Sequence, residues 1–306
     1  NISYIYGGVT SFNGIGGHYG DENLPLLLET DEAFNTFKEL EINSLLITNI
    51  DHDHIDHFGS YTNLVEAFGT VITNVKDKCV INIDDTKLST FLRPGDISYS
   101  SSKNSYYKIN FPNSFNVDKE DYTITTKLIG EHFISNIVGA IALANQNGIS
   151  IDQCLNAIKH FDGVKRRTEY IGDFNGTNFY DDYGHHPTEI KATTKALKNN
   201  TSGKLIVIFQ PHRFTRTRDN YEDLRDSFDH SDLTLITDIY SAGEKPIPGI
   251  SSVMFEGKDI QYMKSPRLVP HFIKNNINPG DTVLTIGAGD ITLLGPQILK
   301  YLNENK

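Results

Sequence analysis

Residues 178–209 read NFYDDYGHHPTEIKATTKALKNNTSGKLIVIF, and they predict a strand, a helix and a second strand. The runs NFYDDY and KLIVIF are rich in aromatic and β-branched residues, which favour strands. Pro187 suits the first turn of the helix between them. Strands joined by a helix favour a right-handed βαβ unit with parallel strands. We therefore expect an α/β fold with a mostly parallel sheet, similar to a Rossmann domain.

The same alternation extends on both sides of this stretch. Downstream, the pattern predicts strands at 233–239 and 282–287 and helices at 218–229 and 291–304. Upstream, it predicts strands at 44–49, 70–75 and 79–83, a meander of antiparallel strands over 88–128, and helices at 62–68, 131–147 and 151–160. Residues 161–176 read as a boundary, which gives two predicted domains, 1–165 and 166–306.

Composition excludes several classes of protein. The 306 residues are 38% hydrophobic, which is enough for two buried cores, and the net charge of −11 argues against a nucleic-acid surface. No apolar run reaches the roughly 18 residues of a membrane span. The two cysteines, Cys79 and Cys154, lie far apart without a metal-binding or redox motif, so we expect free thiols and a cytoplasmic protein.

Four polar residues stand at the carboxyl end of the first predicted strand: Asp181, Asp182, His185 and His186. In an open α/β sheet, ligands bind beyond the carboxyl ends of the strands. The carboxylates could hold a metal or ribose hydroxyls, and the imidazoles could donate to an anionic oxygen. A solvated polar turn is the simpler alternative.

Arginines follow the second predicted strand. Arg213 and Arg216 are three residues apart, so a helical turn would put them on one face as a clamp for a carboxylate or phosphate. A solvated cationic face remains open. At the domain boundary, Arg167 and Glu169 could form an ion pair between the domains.

Acidic and imidazole side chains also cluster upstream, after the apolar runs LPLLL and SLLITNI. They are Glu29, Asp31 and Glu32 in the first group and His52, Asp53, His54 and Asp56 in the second. Carboxylate oxygens with imidazole nitrogens form a plausible shell for a divalent metal. A polar loop is the alternative.

Together, four stretches resemble the Mur ligase family: DDYGHHPTE (181–189), FQPHRFTRTRD (209–219), DIYSAGEKPIPG (238–249) and GAGDI (287–291). The resemblance covers nearly the whole chain. It implies a partial central ATPase domain followed by the C-terminal α/β domain. The matching members use ATP and Mg²⁺ to join L-alanine to UDP-N-acetylmuramate through an acyl phosphate during synthesis of the bacterial cell wall.

The resemblance also assigns residues. Glu29 and His54 would bind Mg²⁺, Asn136 would contact adenine, and Arg167 and Asp182 would contact the ribose or phosphates of ATP. Tyr183, His185, Arg213 and Arg216 would hold L-alanine and the reacting carboxylate, with His185, Arg213, Arg216 and Asp182 as the catalytic group. The resemblance implies no nucleic-acid or membrane partner and leaves an oligomer possible.

This sequence departs from the family at several points. Phe133 stands where the family has an Asn, and Phe34 replaces the last acid of the family's acidic motif. The chain has no Gly-Lys-Ser/Thr phosphate loop, because Leu follows Gly203-Lys204 and Asp follows Gly257-Lys258. We therefore expect an N-terminally truncated ligase that does not hydrolyse ATP by itself.

Three alternatives remain open on sequence grounds. A recycling ligase of the same family attaches a tripeptide to the same sugar nucleotide, but it resembles this chain less at DYG and QPHRFTRTRD. A non-catalytic module would lack the ATPase loop and would only bind a ligand or a partner. A metal-dependent hydrolase would use the His-Asp-His cluster and would give Arg213 and Arg216 no role.

Overall fold

The chain divides into two compact units, Asn1–Asp162 and Gly163–Lys306, each of which is an α/β unit. The structure is a computed structural model. It covers residues 1–10, 14, 16–30, 32–52 and 55–305, with the backbone alone at 34–36 and 56. No helix among these residues is both long enough and apolar enough to cross a membrane.

The first unit contains a six-stranded sheet in the order β4-β5-β6-β7-β8-β9. The pairs from β4 to β7 are parallel, and β7, β8 and β9 pair antiparallel. A small separate sheet has the order β2-β1-β3. The strands are β1 Tyr4–Ile5, β2 Gly17–His18, β3 Leu27–Leu28, β4 Leu45–Ile47, β5 Cys79–Asn82, β6 Ile97–Ser100, β7 Tyr107–Asn110, β8 Ser114–Val117 and β9 Glu120–Thr123.

Helices cover both faces of the six-stranded sheet. Successive residues of β5 alternate between two cores, because side chains along a strand point to opposite faces. Cys79 and Ile81 pack in the core that contains residues of α2, whereas Val80 packs in the core that contains residues of α3. The helices are α1 Ile55–Phe58, α2 Tyr61–Asn74, α3 Glu131–Gln146 and α4 Ile151–Lys159.

The second unit contains a six-stranded sheet in the order β10-β11-β15-β12-β13-β14. Every pair is parallel except the edge pair β10–β11. Its strands are β10 Glu169–Phe174, β11 Thr177–Asp182, β12 Leu205–Phe209, β13 Leu233–Ile236, β14 Ile260–Tyr262 and β15 Thr282–Ile286. Its helices are α5 Pro187–Asn199, α6 Phe214–Asp219, α7 Tyr221–Asp226, α8 Val269–Asn276 and α9 Leu294–Glu304. The predicted α/β fold with a mostly parallel sheet is confirmed.

The predicted strand at 70–75 is wrong, because these residues continue helix α2 to Asn74. The Ser60 side chain caps the helix by accepting a hydrogen bond from the backbone N–H of Asn63 at 3.1 Å. Leu64, Ala67 and Val71 then recur at helical spacing and are buried. Burial of this face outweighs the strand preference of the β-branched residues.

Two further predictions need correction. In 88–128 only β7, β8 and β9 form an antiparallel meander, because β6 pairs in parallel with both neighbours. In place of the helix predicted at 218–229, the structure has two short helices, α6 Phe214–Asp219 and α7 Tyr221–Asp226. They meet at Asn220. The elements β10, β14 and α8 were not predicted.

Substitution Leu64→Ala tests the helical assignment of α2. Leu64 is 1% exposed, so we expect its loss to lower the free energy of unfolding by about 2–5 kcal/mol. The measurement is urea denaturation followed by circular dichroism. Leu92→Ala is the control, because Leu92 is 40% exposed and its loss should cost much less. Equal effects of the two substitutions would contradict the buried face of α2.

Candidate functional site

Three loops of the second unit meet at one edge of its sheet. They follow the neighbouring strands β11, β15 and β12, whose parallel pairing puts their carboxyl ends side by side. The loop after β13 joins them through a bridge between His212 and Tyr240. The structure therefore brings together five residues predicted from the sequence: Asp182, Tyr183, His185, Arg213 and Arg216.

Asp182 is the last residue of β11 and is 4% exposed. Its Oδ2 accepts hydrogen bonds from the Thr168 backbone N–H at 2.7 Å and hydroxyl at 3.1 Å, and its Oδ1 accepts one from Gly184 N–H at 2.7 Å. Burial raises the pKa of Asp182 to about 6, and the hydrogen bonds and Arg167 oppose the rise. A Cβ on Gly184 would lie 2.8 Å from Asp182 Oδ1, so the turn requires glycine. Asp182 thus fixes the turn that presents Tyr183 and His185.

His185 lies just before helix α5, and only 15% of its side chain is exposed. Its backbone N–H donates to Glu189 Oε2 at 3.1 Å, and that oxygen also accepts from His186 N–H at 3.3 Å. His185 Nδ1 lies 3.2 Å from the carbonyl oxygen of Tyr183. Because a carbonyl only accepts, Nδ1 is the donor in this contact, and the same nitrogen lies 3.6 Å from Glu189 Oε2.

Arg213 has an unusual backbone conformation for a side chain of its size. Its φ is 68°, in the left-handed region that L-residues rarely adopt. Its N–H donates to Tyr240 O at 2.8 Å, and its Nε donates to Glu244 Oε1 at 2.6 Å. Strain of this kind concentrates at functional sites.

His212 and Arg216 lie beside Arg213 on the same loop. Arg216 Nη1 is 3.3 Å from His212 Nδ1, and the guanidinium must be the donor because it cannot accept. Burial, together with the positive charges of Arg216 and Arg213, lowers the pKa of His212 to about 4. The imidazole is therefore neutral at pH 7, and the arginines supply the positive charge of this loop.

Arg166 lies over the ring of Tyr183, and sequence reasoning missed it as a site residue. Its Nη2 donates to Gly287 O at 2.6 Å and Gly289 O at 3.1 Å, and its Nε lies 3.6 Å from the buried Asp181 carboxylate. Asp181 also accepts from the Thr285 and Thr292 hydroxyls, at 2.6 and 2.7 Å. The only signal for Arg166 in the sequence is the basic run at 165–167.

Tyr183 lies beneath two guanidinium groups. The Cζ of Arg166 is 4.9 Å from its ring centroid and that of Arg167 is 5.4 Å away. Arg167 is about half exposed and pairs with Glu189 at 3.5 Å, so its predicted pairing with Glu169 is wrong. An exposed ion pair is worth only about 0–1 kcal/mol, which leaves Arg167 accessible to an anion.

The nucleotide and metal residues predicted in the first unit are only partly described. Glu29 is exposed, and its Oε2 accepts from Gly7 N–H at 2.7 Å. Asn136 is exposed on α3. His54 and Asp53 lie outside the described residues. Among those that are described, no three His, Cys, Asp or Glu side chains are grouped so that they could hold a metal ion.

Two family models match the chain. The Mur ligase middle domain matches residues 31–144, and the Mur ligase glutamate ligase domain matches residues 166–289. The UDP-N-acetylmuramate–L-alanine ligase of Desulforamulus reducens is 32% identical over 91% of this chain and 65% of its own length. The enzyme of the same name from Brucella anthropi is 31% identical over 98% of this chain and 70% of its own length. This chain thus spans about two thirds of these relatives.

Solved structures show the same fold. The UDP-N-acetylmuramate-alanine ligase MurC of Thermotoga maritima gives a TM-score of 0.80 at 24% identity, covering 99% of this chain and 69% of that one. MurF of Thermotoga maritima in complex with ADP gives 0.73 at 16% identity, covering 92% and 68%. A murein peptide ligase of Psychrobacter arcticus gives 0.64 at 19% identity, covering 98% and 71%.

The electrostatics of the arginine loop can be tested by titration. We expect Arg216→Gln to raise the pKa of His212 from about 4 toward its ordinary value of about 6.5, because a positive charge at 3.3 Å is removed. Nitrogen NMR of the imidazole measures this pKa. Arg218→Gln is the control, because Arg218 is exposed and pairs with Asp219.

The lowered pKa of His212 also predicts how the stability of the protein changes with pH. The pKa of His212 is lower in the folded state than in the unfolded state, so a fall in pH protonates the unfolded state first. The contribution of His212 to the free energy of unfolding should therefore be lost as the pH falls from about 6.5 to about 4. A pKa of His212 that is unchanged in Arg216→Gln would contradict the effect of the Arg216 charge on His212.

Proposed function

The chain belongs to the Mur ligase family, and we propose that it carries the amino-acid-binding part of an ATP-dependent ligase that joins L-alanine to UDP-N-acetylmuramate. The observation that carries this proposal is the pair of arginines at the carboxyl edge of the second sheet, on the stretch FQPHRFTRTRD. It is supported by relatives of that name that are 31–33% identical over more than nine tenths of the chain.

Amide formation from a carboxylate needs activation. In the proposed reaction, a carboxylate oxygen of UDP-N-acetylmuramate attacks the γ-phosphorus of ATP, which gives an acyl phosphate and ADP. The neutral amine of L-alanine then attacks the acyl carbon, the C–O bond breaks, and inorganic phosphate leaves. The amine gives up one proton in this step. Catalysis of this kind consists mainly of positioning and charge neutralisation.

Arg213 and Arg216 suit the carboxylate of L-alanine. A guanidinium presents parallel N–H donors that match the two oxygens of a carboxylate. The neighbouring His212 is neutral at pH 7, so it adds no third charge. We assign the recognition of the amino-acid carboxylate to these two arginines.

His185 and Tyr183 are assigned to the reacting end of L-alanine. The imidazole of His185, whose side chain is 15% exposed, is assigned to the amine of L-alanine. The two rings lie 5.3 Å apart in an edge-to-face arrangement, which keeps them in fixed relation. Asp182 supports this arrangement by holding the turn between them.

Nucleotide contacts are assigned to Asn136 and Arg167, with Asp182 in support. Arg167 is a half-exposed cation, which suits a phosphate, and Asn136 carries an amide, which suits adenine. Mg²⁺ binds through one or two carboxylates and the phosphates of its substrate, so the exposed carboxylate of Glu29 fits this use, with His54 as the second proposed ligand. When bound, Mg²⁺ would neutralise the phosphates of ATP.

Arginine substitutions test the function most directly. In the complete product of the gene that encodes these residues, Arg213→Ala and Arg216→Ala should each lower kcat/KM for L-alanine by about 100-fold, since a hydrogen-bonded charge pair is lost. The assay is phosphate release that depends on ATP, UDP-N-acetylmuramate and L-alanine.

Arg218→Ala is the matched control, because Arg218 lies in the same helix but is exposed and pairs with Asp219. We expect it to have nearly wild-type kinetics. Activity with a tripeptide but not with L-alanine would favour the recycling ligase instead. Binding of the substrates without any phosphate release would favour the non-catalytic module.

The 306 residues alone should not hydrolyse ATP. They contain no Gly-Lys-Ser/Thr sequence, and a phosphate loop needs that lysine together with a cradle of backbone N–H groups. The measurement is phosphate release by the purified 306-residue chain with all three substrates, next to the complete gene product. Turnover by the 306 residues alone would show that the phosphates are held in another way.

A further inference from the structure

We propose that Glu244 is a positioning residue that orients Arg213 for the carboxylate of the incoming amino acid. This inference rests on the proposed function and adds to it a residue outside the two motifs that carry the arginines and histidines. Glu244 lies in the loop after β13, within DIYSAGEKPIPG, a stretch to which the proposed reaction gives no role.

Glu244 gathers three hydrogen bonds from the arginine loop. Its Oε1 accepts from Arg213 Nε at 2.6 Å and from the Thr215 hydroxyl at 2.6 Å, and its Oε2 accepts from Thr215 N–H at 3.0 Å. Only 18% of the Glu244 side chain is exposed. One carboxylate therefore fixes both the start of helix α6 and the guanidinium that precedes it.

The contact to Arg213 uses one edge of the guanidinium. Nε donates to Glu244, whereas no described residue accepts a hydrogen bond from the Nη nitrogens of Arg213. The side chain is 38% exposed, so these nitrogens can be reached by a ligand. Because the guanidinium is planar, holding Nε also fixes the direction of the Nη donors.

The loop after β13 also holds the backbone of Arg213. Arg213 has a φ of 68° and is held by its N–H bond to Tyr240 O, which comes from the same loop as Glu244. Tyr240 also stacks on His212, with ring centroids 5.6 Å apart. The loop after β13 thus fixes Arg213 at both its backbone and its guanidinium.

Glu244 stays ionised throughout the neutral range. Burial acts to raise the pKa of Glu244, but the Thr215 hydrogen bonds and Arg213 outweigh it and hold the pKa at about 2. A negative charge beside Arg213 has two opposite effects on an anionic ligand, because it repels the ligand and also orients the guanidinium. Two parallel hydrogen bonds from Arg213 to a ligand carboxylate would be lost if the guanidinium turned away. We therefore expect the orienting effect of Glu244 to be larger than its repulsion of the ligand.

The test is Glu244→Gln, which keeps the size of the side chain and removes its charge and one acceptor oxygen. In the complete gene product, we expect KM for L-alanine to rise about tenfold, while KM for ATP stays within about twofold. In an Arg213→Ala background, Glu244→Gln should change KM for L-alanine by less than about twofold, because its effect acts through Arg213. Glu222→Gln is the control, because Glu222 is an exposed acid on α7.

Several outcomes would overturn the inference. An unchanged KM for L-alanine would remove the positioning role, and a lowered one would show that Glu244 only repels the ligand. An equal rise with and without Arg213 would indicate a general structural effect. A wild-type enzyme that does not ligate L-alanine would instead refute the proposed function, and with it the ligand named here.

A second measurement tests the hydrogen bond between Arg213 and Glu244 without an activity assay. Nitrogen NMR of the 306-residue chain should show a slowly exchanging Arg213 Nε–H in the wild type. In Glu244→Gln this proton should exchange at least about tenfold faster, because its ionised acceptor is lost. Equal exchange rates in the two proteins would show that Glu244 does not hold Arg213 in solution.

Discussion

The contacts of Arg166 are the interactions on which the site depends. Its Nε lies 3.6 Å from the carboxylate of Asp181, which is 1% exposed, and burial raises the pKa of that carboxyl group. Arg166 spans from β11 to the glycine turn after β15, and it also lies over Tyr183. Arg166 therefore ties the end of β11, which precedes Tyr183 and His185, to the turn after β15.

Charge is unevenly divided along the chain, and this division favours the proposed chemistry. Residues 1–162 contain 21 acidic and 10 basic side chains, whereas residues 163–306 contain 18 of each, so the first unit carries the whole net charge of −11. The second unit can therefore present Arg213 and Arg216 to an anion without a large negative background. Local arrangement, rather than overall composition, determines which ligand such an edge attracts.

Much of the second unit could be predicted from the sequence, because β11, α5, β12 and β15 follow strong local patterns that burial reinforces. Local pattern failed at 70–75, where contacts made by Val71 and Ile72 in the core override strand preference. It also failed for Arg166 and Glu244, whose partners lie 121 and 31 residues away. Such contacts depend on which strands become neighbours, and a single sequence does not reveal that order.

The most direct measurement is a crystal structure of the complete gene product with ADP and UDP-N-acetylmuramoyl-L-alanine. We predict that the alanyl carboxylate lies within hydrogen-bond distance of both Arg213 and Arg216 and that Glu244 still accepts from Arg213 Nε. An alanyl carboxylate bound elsewhere, with both arginines facing solvent, would contradict the assignment of Arg213 and Arg216 to the amino-acid carboxylate.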